Sequence, residues 1–239
     1  MIFDLGTVPR KLAVAGAAML VTVAYGLPVW SHLRVDQLMR IGTRENLERA
    51  IQMQPENADL HNRLGRLLLY VPLGDAQRAR EELERATQLD PKSGLYWVDV
   101  ALARELEADP AGTRAALREA RRREPRTPAV LWHEANFLVR QGEVPEALGV
   151  LKTLLQEAPE YTARALAFFS RVGEPGRLIA EAVPQRVDAL DAALEYVRRE
   201  NHVAAAAPLW AKVRGLEQTP SVFQLRLFVD WLIHARQME

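Results

Sequence analysis

The chain has 239 residues, 49% of them hydrophobic, with 31 Lys+Arg against 31 Asp+Glu and a formal net charge of +0. That length and apolar content can build a sizeable core, while the balanced charge excludes a broad basic surface, so no nucleic acid partner is expected. Zero Cys excludes disulfides, thiolate metal sites and cysteine nucleophiles, and leaves the compartment open.

Residues 1–11 form a short N-terminal tail ending in Arg10 and Lys11, and residues 12–30 that follow carry no charge. As a helix this stretch would reach roughly 28 Å, against a hydrocarbon core of about 30 Å. It is therefore expected to be a transmembrane helix acting as a signal anchor, in contact with the lipid bilayer, with Trp30 and His32 at the far interface. The basic pair before it places the tail in the cytoplasm and the body outside, although Arg34, Arg40 and Arg44 dilute that asymmetry. A cleaved signal peptide is the rival reading, with Ala24-Tyr25-Gly26 as its small-x-small site. A buried soluble helix fits less well, because the stretch has no polar face.

Residues 31–56 read as a helical stalk and a degenerate first repeat. Leu33, Leu38 and Ile41 are the expected apolar positions of the stalk, and Pro28 is a candidate kink. Thr43 fits an N-cap, and Leu47 and Ala50 then lead to Pro55 as in the second helix of a hairpin.

Residues 57–159 hold three helical hairpins, each closed by a proline. Pro91, Pro125 and Pro159 stand at equal spacing, the interval 125−91 = 34 recurring in 159−125 = 34. Aligned backward from each proline, like residues fall at like places: His61, Leu64, Gly65, Leu68, Ala79 and Leu83; then Trp97, Val100, Ala101, Arg104, Thr113 and Leu117; then Leu131, Glu134, Ala135, Leu138, Ala147 and Leu151, with Gly142 at the turn. The first alignment requires a two-residue insertion within residues 71–75. Gly65, Ala101 and Ala135 are small so that paired helices can approach, and proline ends the second helix because it lacks an N–H and restricts the residue before it. In these positions the chain resembles the tetratricopeptide repeat (TPR) family. Arg104, Thr113 and Glu134 depart from its pattern.

After Pro159 the period loosens into degenerate TPR-like hairpins over residues 160–239. Val187, Leu190, Leu194 and Val197 share a helical face, with Ala205, Leu209 and Val213 as its partner face. Residues 219–236 form a terminal helix, capped by Thr219 with Pro220 at its first position. Its apolar residues call for cover, by the preceding hairpin or by another subunit, since terminal repeats usually present a polar outer face.

No catalytic constellation emerges. His133-Glu134 resembles the start of a zinc-protease motif, but Phe137 stands where the second His belongs. The other histidines are isolated, no glycine-rich phosphate loop occurs, and Arg121-Arg122-Arg123 reads as a solvated helix end. The chain is therefore not expected to be an enzyme or to hold a metal or other cofactor.

The resemblance implies an all-α, right-handed TPR-like helical-hairpin solenoid, here preceded by one N-terminal transmembrane helix. It also implies that first helices line a groove for protein partners, either a peptide or a subunit. By position, that partner-binding groove comprises Asn62, Arg66 and Leu69, then Val98, Leu102 and Glu105, then Trp132, Asn136 and Val139. For Val98, Leu102 and Val139, packing between repeats is an equal alternative. Family members that hold a C-terminal carboxylate carry Lys and Asn, then Asn, then Lys and Arg; here Asn62 and Arg66, Asp99, then Ala129 and His133 occupy those places. An acid and two missing cations argue against that ligand. The resemblance extends to single-anchor bacterial envelope TPR proteins. It implies a membrane-anchored scaffold or assembly adaptor in the inner (cytoplasmic) membrane, single-pass with a periplasmic body, serving secretion, envelope complex assembly or surface-polysaccharide export. The alternative is a stable structural subunit of a large membrane complex.

Overall fold

The computed structural model describes residues 8–71, 75–173, 175–216 and 221–236; side chains 8–11, 13, 14, 23, 25–28 and 236 lie outside that description. Within the described residues the chain is helical: α1 Val8–Ile41, α2 Arg44–Met53, α3 Ala58–Tyr70, α4 Ala76–Leu89, α5 Gly94–Leu106, α6 Pro110–Arg123, α7 Pro128–Arg140, α8 Val144–Glu157, α9 Thr162–Phe169, α10 Pro175–Glu181, α11 Val187–Arg199, α12 Ala206–Arg214 and α13 Val222–Arg236. Short 3-10 turns at Pro159–Tyr161 and Val203–Ala205 lead into α9 and α12.

Local chemistry accounts for most of these boundaries. Thr43, Asn57 and Asp75 cap α2, α3 and α4, each side-chain oxygen accepting a backbone N–H of the first turn. Helices α2, α4, α6 and α8 each stop two residues before Pro55, Pro91, Pro125 and Pro159. The expected insertion falls on residues 72–74, and the Thr219-Pro220 start of the last helix on residues 217–220, both outside the described residues.

The chain divides into two compact units. The first is Met1–Lys92 with Leu102–Asp109, the second Ser93–Ala101 with Pro110–Glu239. In the first, the C-terminal part of α1 packs on α2, α2 on α3 and α3 on α4, around Val35, Leu38, Leu47, Ala50, Leu60, Leu64 and Leu68. This corrects the stalk reading in part: Leu38 is buried as expected, but Leu33 and Ile41 are exposed and Val35 is buried in their stead. Docking on α2 selects that face of α1, which the local pattern did not.

Gly65 shows why the small position of each repeat is small. A Cβ there would meet Leu83 Cγ at 2.6 Å and the Ala79 carbonyl oxygen at 2.9 Å. Arg104, at the usual aromatic place, instead pairs with Glu84 at 2.9 Å and Asp109 at 3.1 Å. The hydrogen bond with Asp109 and the nearby Glu84 charge raise its pKa further.

In the second unit α7 packs on α8, while beyond Pro159 first helices pack on first helices and second on second: α9 on α11, α10 on α12, and α13 on α11. Leu190, Leu194, Val197, Leu209 and Val213 are buried as their shared face requires, whereas Val187 is only half-buried. Phe228 of α13 is fully buried, stacks with Trp210 at 6.4 Å and lies 5.4 Å from Trp231. Trp231 Nε1 donates to Asn201 Oδ1 at 2.9 Å.

Two turns at equivalent places differ in chemistry. Ala108 has φ +57° and Gly142 φ +79°, one period of 142−108 = 34 residues apart. A Cβ at Gly142 would touch nothing within 4 Å, so conformation alone decides there. Left-handed backbone is costly for alanine but not glycine, partly offset by glycine's freer unfolded chain. Ala108→Gly is expected to stabilise, and Gly142→Ala to destabilise, by about 0.5–1 kcal/mol each. Urea unfolding midpoints moving in the same direction would contradict this.

Residues 12–30 lie inside the longer α1. No helix among the described residues is long and apolar enough to cross a membrane, so the expected transmembrane span is unconfirmed. Leu12, Met19, Leu20, Val21, Val29 and Trp30 are exposed on this helix.

Candidate functional site

The nine expected groove residues divide between the units and between surface and interior. In the first unit, α3 carries Asp59, Asn62, Arg63, Arg66, Leu67 and Tyr70 at alternating three- and one-residue steps, so they share one helical face. With Met39, Gly42 and Leu47 they line a cavity of about 490 Å³. Asn62 is buried and Arg66 exposed, while Leu69 packs instead against the core. Arg63 holds Asp59 at 2.8 Å on the rim. The cavity thus combines an apolar floor from Met39, Leu47 and Leu67 with guanidinium and amide groups, suited to a peptide's side chains and backbone. Arg63 and Tyr70 were not among the expected residues, although their spacing from Asn62 and Arg66 carried the signal.

Behind this face His61 is buried, its Nδ1 2.6 Å from Glu82 Oε2 and its Nε2 donating to the Pro55 carbonyl at 2.9 Å. A carbonyl can only accept, so that nitrogen carries a proton. His61 ties α3 to α4 and to the end of α2, a structural duty that its isolation in sequence did not reveal. Leu102 and Glu105 of α5 are half-buried.

In the second unit Val98 and Val139 are 3% and 4% exposed. Of the two alternatives for these residues, such burial favours packing over a place in the groove. Asp99, at the place of a carboxylate-holding Asn, is buried as well. Trp132 is half-buried and meets the Phe168 ring edge-on at 5.7 Å and Tyr161 at 5.8 Å. The Arg164 guanidinium lies 4.3 Å from the Trp132 ring centroid. Asn136 is half-buried and donates through Nδ2 to the Trp132 carbonyl at 2.6 Å. Trp132 therefore anchors α7 to α9 and carries a cation on its face. Tyr161, Arg164 and Phe168 were missed because they follow Pro159, where the repeat loosens.

The arginine run is also reassigned. Arg121 pairs with Glu134 at 2.6 Å, Arg122 with Glu119 at 2.8 Å, and Arg123 bonds Glu119 and lies 4.9 Å from the Trp97 ring centroid. The Arg123 hydrogen bond holds the Glu119 carboxyl below its ordinary pKa. Glu124 accepts the Gly94 N–H at the start of α5. Glu134, out of place in the repeat pattern, is thus the partner of a basic residue rather than a defect. Among the described residues no group of His, Cys, Asp and Glu is placed to hold a metal.

The repeat geometry agrees with what is known of other proteins. The tetratricopeptide repeat model matches residues 44–94 and 101–162. The TPR repeat-containing protein PA0015 of Pseudomonas aeruginosa is 39% identical over 72 residues, which are 30% of this chain and 67% of that protein. The chain belongs to the tetratricopeptide repeat family. Among solved structures, MamA superposes with a TM-score of 0.53 at 18% identity, over 72% of this chain and 93% of its own. Yeast Tom70 does so with 0.51 at 13%, over 82% of this chain and 43% of its own. At such identities the likeness is one of fold. As a TPR protein the chain is a helical-repeat scaffold for contact between proteins.

Proposed function

We propose that this TPR protein is a membrane-anchored scaffold or assembly adaptor of the bacterial cell envelope, which binds protein segments on the first helices of its repeats. The cavity on α3, where Asn62 and Arg66 meet an apolar floor, carries the reading. The uncharged residues 12–30, behind Arg10 and Lys11 and with exposed apolar side chains, support an anchor in the inner membrane with the helical body in the periplasm. Secretion, envelope complex assembly and surface-polysaccharide export all fit such a scaffold.

A second reading, a stable structural subunit of a membrane complex, is favoured by the exposed Val222, Phe223 and Ile233 of α13. One experiment separates them. Membranes containing the full-length chain are washed at alkaline pH, solubilised in gentle detergent and used for affinity recovery, beside the Arg66→Glu variant. Retention after the wash, with a small set of substoichiometric proteins lost in the variant, is expected. Release by the wash defeats the anchor. Recovery of the same proteins in fixed stoichiometry from both forms defeats the scaffold and establishes the subunit reading.

A further inference from the structure

Helix α13 stands where a further first helix would pack on α11, and its other side carries exposed side chains. Phe228 and Trp231 hold it inward. Outward it presents Val222, Arg226, Val229 and Ile233 in steps of four, three and four, within an arc of about 60° at helical periodicity. Val222 is 77% exposed, Ile233 52%, and the Arg226 and Asp230 side chains 82% and 56%.

Beside this stripe lies Asp230, so that opposite charges stand at equal distances from the middle of the face. Val222 lies about as far before residue 228 as Ile233 lies after it, and Arg226 and Asp230 flank the same midpoint with opposite charge. A two-fold axis through that midpoint lays Val222 of one copy on Ile233 of the other, and Arg226 beside Asp230, twice over. The intramolecular Arg226–Asp230 approach is loose at 3.9 Å, and both groups face solvent. Parallel pairing would instead set like charges against each other. A bilayer fits poorly, because the charges occupy the middle of the stripe.

We propose that α13 is a self-association helix, pairing antiparallel with α13 of a second copy of this chain. The proposal does not depend on the partner-binding face of α3.

The absence of cysteine makes the test direct. Full-length chains carrying Val222→Cys or Ile233→Cys are oxidised gently in detergent, separately and as a mixture. Antiparallel pairing predicts a disulfide-linked dimer several-fold more abundant in the mixture than with either alone, because only unlike positions then come within bonding distance. Equal yields from the single variants, or none from the mixture, would overturn it.

Sedimentation equilibrium supplies the second arm. Arg226→Asp and Asp230→Arg are each expected to weaken self-association at least roughly tenfold, and the combined exchange to restore it. A chain that remains monomeric, or an oligomer held elsewhere that ignores both changes, would refute the proposal. Recovery in the double exchange also excludes misfolding as the cause of the single losses.

Discussion

Replacing Gly65 by valine is expected to destabilise the first unit by about 3 kcal/mol, and by alanine about 1–2 kcal/mol. Two effects compete. Removing glycine from the middle of a helix favours folding, by as much as about 1 kcal/mol for alanine and less for valine. Against that, the added Cβ stands 2.6 Å from Leu83 Cγ and 2.9 Å from the Ala79 carbonyl oxygen. Leu83 is fully buried and the oxygen belongs to α4, so neither can swing aside and the two helices must separate. Overpacking therefore wins. Gly149 of α8 provides the control, since a Cβ there meets nothing within 4 Å; Gly149→Ala is expected to stabilise by up to about 1 kcal/mol. Urea unfolding with hydrogen exchange at α3 and α4 measures both. A Gly65→Val protein as resistant as the parent would show that α3 and α4 are not in close contact.

Phe228→Ala is expected to release α13, at a cost of about 3–5 kcal/mol. The side chain lies against Trp210 and Trp231 and, among the described residues of α13, is the one that is fully buried. The hydrogen bond from Trp231 Nε1 to Asn201 is exposed and worth only about 1 kcal/mol. Because stacked repeats gain stability from their nearest neighbours, the loss should stay local. Amides of α13 should exchange freely while α3 and α4 keep their protection. Unchanged protection of α13, or collapse of both units together, would contradict this.

Much of the architecture was legible because it is written in interactions that span a few residues. Thr43 caps α2 through the N–H of Asn46, and each closing proline ends the helix before it; neither depends on the rest of the chain. The requirement for a small residue at Gly65 was legible too, because it recurs with the period at Ala101 and Ala135. The stretch of α3 that lines a cavity could be read in outline, since Asn62 and Arg66 lie on one helical face.

Which face is buried, and which charge finds a partner, depends on neighbours some ten to thirty residues away or more. Val98 and Val139 were assigned to a groove by repeat position, yet packing encloses them. Leu33, Leu38 and Ile41 carried the apolar pattern of the stalk, but of these α1 buries only Leu38, with Val35 beside it. Trp132 became an anchor through Tyr161, Arg164 and Phe168, which lie beyond the regular repeats. The sequence by itself determined the period, the helix ends and the small packing positions, because backbone hydrogen bonding and steric fit act locally. Only the tertiary structure decided which surfaces remain open to a partner, because burial is a property of two elements brought together.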